Sequence, residues 1–302
     1  MDMFLKMLSL LVFILIGFLA KRLGIVREQA ISTLSIIILD FTLPCTIIRN
    51  FNGVFPDPHV FTLLLLGFLL NFLCLGLGWL TGGRDSRGFS MINISGYNIG
   101  MFAMAFIQSF FPPSIFILVC LCDVGNAIMT MGGNYAVAAR ACRAPGMNAK
   151  KMAGIVLRCI GFHCYIILLI LSLLHITLPD WFITAISPAA MVNPFLCMFM
   201  VGLGLRFTMS KSSLRIVSRT LLVRYLSHAI LCCAVLFLPL DRKMIAALIL
   251  FLLSPVSGLC PIYTMRLVPH MLEDSAINIC VSILISIGLF IALIPALLHY
   301  AL

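Results

Sequence analysis

Apolar residues run through this chain in blocks of about twenty, the length that carries an α-helix across a bilayer. Charged residues and Pro/Gly-rich breaks set off ten such blocks, at 3–20, 29–51, 59–81, 88–111, 114–139, 152–177, 182–205, 216–239, 244–266 and 275–300. In the first, "MDMFLKMLSLLVFILIGFLAKRLG", the charge follows the apolar stretch and no A-x-A site comes after it, so it reads as a transmembrane helix and not a signal peptide. The expected fold class is an all-α membrane protein of ten transmembrane helices.

The most hydrophilic break, "RACRAPGMNAKK" at 140–151, divides the blocks five and five. Five crossings return the chain on the opposite side, so two related halves would be inverted relative to each other, the plan of many secondary transporters. The expected organisation is a first five-helix repeat over 1–139, a cytoplasmic linker over 140–151 and an inverted five-helix repeat over 152–302.

Polar interruptions recur at matching places in the two halves. The fourth block holds "NISGYNIGMF", with Asn93, Ser95, Gly96, Asn98 and Gly100. The ninth holds "SPVSGLCPIY", with Ser254, Pro255, Ser257, Gly258 and Pro261. The second holds Asp40 and Pro44 in "ILDFTLPCTI", and the seventh answers with Pro188, Asn193 and Pro194 in "SPAAMVNPF". A broken helix frees backbone N–H and C=O groups, which is tolerable at membrane depth only where they line a cavity or meet another helix. Two breaks at mid-depth would place half-helix N-termini, with their free N–H groups and positive dipole ends, where an anion could bind. The alternative is a pair of kinked packing helices. Candidate substrate-binding residues are Asn98, Gly100, Asn93, Pro255, Ser257, Gly258 and Asn193.

The fifth block carries Asp123, Asn126, Thr130 and Gly133 on one helical face, and the tenth carries Ser275, Asn278, Ser282 and Ser286 likewise. Such stripes face protein or water, and the serines fit interhelical packing as well as a site. Asp40 and Asp123 are the two acidic residues within blocks. An ionisable group at depth is a functional candidate by default, so Asp40, Asp123 and Asn126 are the candidate ion-coupling residues, with structural, hydrogen-bonded carboxyls as the alternative.

Composition agrees with the pattern. Of 302 residues, 62% are hydrophobic and 10% charged, and mean hydropathy is +1.17, whereas a soluble chain needs roughly a quarter charged to cover its surface. The formal charge of +10 does not signal nucleic acid, because the basic residues sit in short clusters between apolar blocks. With the N-terminus outside, 16 of the 20 basic residues fall on inner loops and flanks, which places both termini extracytoplasmic in a cell (inner or plasma) membrane. The 12 cysteines show no C-x-x-C and read as small apolar packing residues.

No nucleophile–base, phosphate-loop or metal-ligating constellation can be assembled, so no enzyme, catalytic residue, cofactor or metal site is expected. His163, His175 and His228 lack ligand-spaced partners. Arg224, early in the eighth block, reads as an arginine snorkelling to the inner interface, with attraction of an anion as the alternative.

Several stretches in register resemble the auxin efflux carrier family of permeases, which includes bacterial malate-permease-like proteins. They are "GFLAKRLGIV", "LDFTLPCTII", "GYNIGMFAMAF", "NPFLCMFMVGLGLRF", and "SPVSGLCPIYTMRL" through "SILISIGLFIALIPALL". The resemblance implies a 5+5 inverted repeat with crossed broken helices 4 and 9, an organic-anion site at the crossing, and an elevator-like cycle. Spans 1, 2, 6 and 7 would form a scaffold, and spans 3–5 and 8–10 the transport domain. Asn98 and Gly100 match the first crossover motif and Pro255 opens the second. The chain differs from the family's usual pattern at Ala105, where a proline is frequent, at Asp40, where an asparagine is common, and at Pro261, displaced by about one residue.

The expected function is a secondary active transporter moving a small organic anion, driven by a proton gradient, the membrane potential or both. The alternatives are a sodium-coupled symporter resembling the bile acid:sodium symporters and a transport-dead membrane sensor. Expected partners are the lipid bilayer, the anion, a proton or sodium ion and a second copy in a homodimer, and no nucleic acid.

Overall fold

The computed structural model describes residues 2–27, 29–53, 61–143, 160–205 and 211–301. Most of the expected 140–151 linker, the start of the sixth block (152–159), and Lys150, Lys151, Arg158 and Arg206 lie outside the described residues. Regular structure among the described residues is helical, in twelve helices. They are α1 (Asp2–Arg22), α2 (Ala30–Phe51), α3 (Phe61–Thr81), α4 (Arg87–Ile94), α5 (Ile99–Phe110) and α6 (Pro113–Ala141), then α7 (Ile160–Leu173), α8 (Asp180–Gly204), α9 (Lys211–Val235), α10 (Arg242–Leu252), α11 (Cys260–Leu267) and α12 (Leu272–Ala301). Six continuous helices are long and apolar enough to cross a membrane: α2, α3, α6, α8, Ser213–Val235 of α9 and Pro269–Ala301, which includes α12. The fourth and ninth apolar blocks are each two helices, α4 with α5 and α10 with α11, parted near the middle.

Local chemistry explains several ends and bends. Asp241 caps α10, its carboxylate accepting the N–H groups of Lys243 (2.7 Å) and Met244 (3.1 Å). Pro113 opens α6 at a position where a missing N–H costs nothing. In α2, Pro44 cannot donate to the preceding turn, and the helix widens into a π-turn over Ile38–Thr42, with Leu43 N–H reaching back to Ile38 O.

Glycines set the closest helix contacts. A Cβ built on Gly17 of α1 would lie 2.1 Å from Phe199 O of α8, and one on Gly202 of α8 would lie 2.0 Å from Ile14 O of α1. The same reciprocal arrangement joins α3 and α6, where Gly67 faces Cys122 O at 2.1 Å and Gly125 faces Leu64 O at 2.1 Å. Small residues let membrane helices approach to backbone contact, where dispersion and not water exclusion holds them. α8 also packs on α2, while α3 packs on α4, α6 on α10, and α12 on α9, α10 and α11. Met244 to Leu252 of α10 are all buried, as expected of a short helix that is apolar on every side.

Candidate functional site

The two helix breaks meet. Tyr97 and Val256 form an isolated antiparallel bridge, and the Asn98 N–H donates to Pro255 O at 2.9 Å. Gly96 takes φ +75, and a Cβ there would come within 3.2 Å of Asn134 Nδ2, Ser257 Cβ and Thr130 Cγ2, so this turn excludes a side chain. Backbone groups freed by the first break are taken up by asparagines. Asn71 Oδ1 accepts the Gly96 N–H (3.0 Å), and Asn126 both accepts the Tyr97 N–H (3.2 Å) and donates to Tyr97 O (3.0 Å). At the second break Ser282 Oγ accepts the Val256 N–H at 3.2 Å. These bonds answer the accounting that buried backbone imposes.

α4 and α10 both end at the crossing, and Arg224 of α9 sits where they do. Its guanidinium donates to Ile94 O (2.5 Å) and Ser254 O (3.1 Å) and lies 4.8 Å from the centroid of the Tyr97 ring. Arg224 is 0% exposed. The expectation that it snorkels to the interface is therefore corrected: two carbonyl ends at the breaks offer the cation partners in the interior, where helix C-termini favour positive charge. One turn on, His228 Nδ1–H donates to Arg224 O, which leaves Nε2 to accept the Tyr97 hydroxyl at 2.9 Å.

α5 and α11 begin on the other side of the crossing, around a cavity of about 110 Å³. Asn98, Ile99 and Gly100 line it from the first break and Ser257, Gly258 and Leu259 from the second. α6 adds Asp123, Asn126 and Thr130, α7 adds Tyr165, and α2 adds Leu39 and Leu43. Both carboxylate oxygens of Asp123 are engaged, Oδ1 by Asn126 Nδ2 at 2.9 Å and Oδ2 by the Tyr165 hydroxyl at 3.0 Å. The cavity thus offers apolar walls, helix N-termini and a few oriented polar groups, the usual make-up of a small-molecule site.

The candidate residues divide. Asn98, Gly100, Ser257, Gly258, Asp123 and Asn126 come together at the cavity, and Pro255 supplies the carbonyl that ties the breaks. Asn93 lies apart from the lining, bonded to Phe89 O (3.0 Å), Thr264 Oγ1 (3.1 Å) and Ser275 Oγ (2.7 Å) as a crosspiece between α4, α11 and α12. Asn193 accepts from Thr42 at 2.8 Å and joins α8 to α2. Asp40 is half-buried in the π-turn of α2 and is not among the lining residues. The wall from α2 is made by Leu39 and Leu43, whose face is turned by about 100°, one residue, from that of Asp40 and Pro44. Tyr97 and Tyr165 carry no sequence signal of their places at the crossing. Arg224 and His228, weighed above only as an interface anchor or anion attractor and as a histidine without ligand-spaced partners, are brought to the breaks by the fold. The one available signal was the Arg224, His228 pair at i, i+4 in the least apolar of the six long helices, at a hydropathy of 1.3.

The described residues thus form an all-helical protein with six helices long and apolar enough to cross a membrane and a cavity where two interrupted helices meet. A protein-family model described as membrane transport protein matches residues 2–145, which hold α1 to α6, and this part of the chain is similar to that family. No curated protein matches the chain.

Proposed function

We propose that the protein is a secondary active transporter that carries a small organic anion through the cavity at the crossing, by an elevator-like alternation driven by a proton gradient, the membrane potential or both. The observation that carries this reading is the meeting of the breaks at Tyr97–Val256 and Asn98–Pro255 beside a cavity into which α5 and α11 begin. An anion's charge would be met by the N–H groups of the first turn of α5, since those of α11 are bonded to Ser257 and Leu259 or missing at Pro261, and its apolar part by Leu39, Leu43 and Leu259. The family match over residues 2–145 supports transport as the activity.

In the proposed architecture the halves form a 5+5 inverted repeat with both termini extracytoplasmic. The helices of spans 1, 2, 6 and 7 (α1, α2, α7, α8) form a scaffold and the rest move against it. The reciprocal glycine contacts within α1–α8 and within α3–α6 support rigid pairs on either side of that boundary.

Asp123 is the proposed proton carrier. A sodium ion needs free oxygen ligands, whereas the oxygens of Asp123 and Asn126 already accept from Asn126 Nδ2, Tyr165, Tyr97 N–H and Asn71 Nδ2. That occupancy supports proton over sodium coupling. A thermal-shift screen of small carboxylates at two pH values, with and without sodium, tests both points, since a ligand of the native state raises its melting temperature. Stabilisation by a carboxylate that depends on pH and not on sodium is expected; no carboxylate response, or one requiring sodium, would sink the corresponding part.

A further inference from the structure

A second cavity, of about 50 Å³ and sharing no lining residue with the first, lies between the end of α3, the length of α4 from Ser86 to Ile94 and the first half of α9. Thr81, Ser86, Ser90, Arg219 and Thr220 contribute its polar lining, and none of the lining residues is acidic. Ser90 is 8% and Thr220 4% exposed, yet neither side-chain hydroxyl has a hydrogen-bond partner among the described residues. Both hydroxyls line the cavity and are free to bond an occupant.

The remaining chemistry fits an anion. Ser86, at the N-cap of α4, gives no side-chain bond to the first N–H groups of that helix, which leaves them as donors beside the cavity. Arg219 spends one guanidinium N–H on Thr81 O at 2.6 Å and keeps the others. Hydroxyls, helix N–H groups and a guanidinium around a small void are the donor set that surrounds tetrahedral oxyanions.

We propose that this cavity binds a phosphate group, either the headgroup phosphate of a membrane phospholipid or free inorganic phosphate. On α9 the outward residues Leu222, Leu226 and Ile230 are 67%, 59% and 62% exposed and follow Arg219 along one face. An acyl chain can lie along that stripe with its phosphate in the cavity. α4 runs along this cavity from Ser86 to Ile94, whose carbonyl Arg224 holds, so an occupant would steady one of the helices that frame the crossing. The site does not depend on the transport reading.

Thermal unfolding of the purified full-length protein in detergent tests the proposal, with phosphatidic acid, diacylglycerol and inorganic phosphate as probes at constant ionic strength. The variants are the double substitution Ser90→Ala, Thr220→Val and the single substitution Arg219→Gln; the second changes an exposed residue and keeps the test open if the first does not fold. A phosphate-bearing probe is expected to stabilise the native chain, diacylglycerol is not, and either variant should need about tenfold more probe for the same shift. A response to phosphatidic acid alone assigns the lipid source, and an equal response to inorganic phosphate assigns the free ion. No shift with either probe, or unchanged dose dependence in a folded variant, would overturn the site.

Discussion

The Tyr165 hydroxyl on α7 donates to Asp123 Oδ2 on α6 at 3.0 Å, within the cavity at the crossing. In the proposed cycle α7 belongs to the scaffold and α6 to the moving part, so this bond spans the boundary that each transport step must shear. The same carboxylate takes Asn126 Nδ2 on its other oxygen, and Asn126 in turn holds the backbone of Tyr97 at the first break. Protonation at Asp123 would therefore act on the boundary and on the crossing together.

Replacing Asp123 with Asn keeps the shape and removes the titrating group. Uptake into proteoliposomes should lose its response to an imposed pH gradient, while Asp40→Asn should keep it, because Asp40 lies outside the cavity lining. Retained pH dependence in Asp123→Asn with loss in Asp40→Asn would reverse the assignment.

Tyr165→Phe deletes one donor to the carboxylate and little volume. A hydrogen bond to a charged group contributes about 1.5–3 kcal/mol, so the pH profile of transport should move while the folded protein persists. Transport assayed across a pH series checks this; an unaltered profile would make Tyr165 a packing residue.

Arg224→Met should be among the most destabilising single changes in the chain. It strands Ile94 O and Ser254 O at the crossing, and each unsatisfied buried group costs about 1–3 kcal/mol. Arg224→Lys keeps the charge without the fork that reaches both carbonyls, and should fall between the two. Fluorescence-detected melting of the detergent-solubilised variants ranks them, and a wild-type melting temperature for Arg224→Met would contradict the capping role.

Gly67→Leu and Gly202→Leu drive a side chain into facing backbone only 2.0–2.1 Å from the ideal Cβ position. Overpacking typically costs about 1–3 kcal/mol where neighbours can yield, and backbone yields least, so both variants should lose folded yield on size-exclusion chromatography. Gly76→Leu is the control, since nothing lies within 4 Å of its Cβ position.

Periodicity made part of the site legible. Asp123, Asn126 and Thr130 at helical spacing are on the cavity, and the Gly/Pro/Ser/Asn interruptions do mark where α4 and α10 stop. Which face of a helix looks inward was harder to read. Asp40 and Pro44 stand out in an apolar run, but the next face round, Leu39 and Leu43, meets the cavity, because a polar residue in a span can also be accommodated by a widened turn. Arg224 misled for a related reason: one basic residue near the end of an apolar block looks like an interface anchor until the two carbonyl ends that neutralise it are brought beside it. Those ends are more than a hundred residues apart from each other in sequence, at Ile94 and Ser254, and no local pattern joins them. Tyr165 is apolar in its own context and acquires its role only through Asp123.

The central proposal is that an organic anion moves through the cavity at the crossing. The most direct measurement is gradient-driven uptake of a carboxylate found in the stabilisation screen, into proteoliposomes holding either the native chain or Gly258→Leu, which fills the lining where Met101 Cε already lies 3.3 Å from a built Cβ. Uptake by the native protein that follows the imposed gradient, and its loss in the correctly folded variant, is the expected result. Binding without movement in the native protein, or undiminished uptake through the filled cavity, would contradict it.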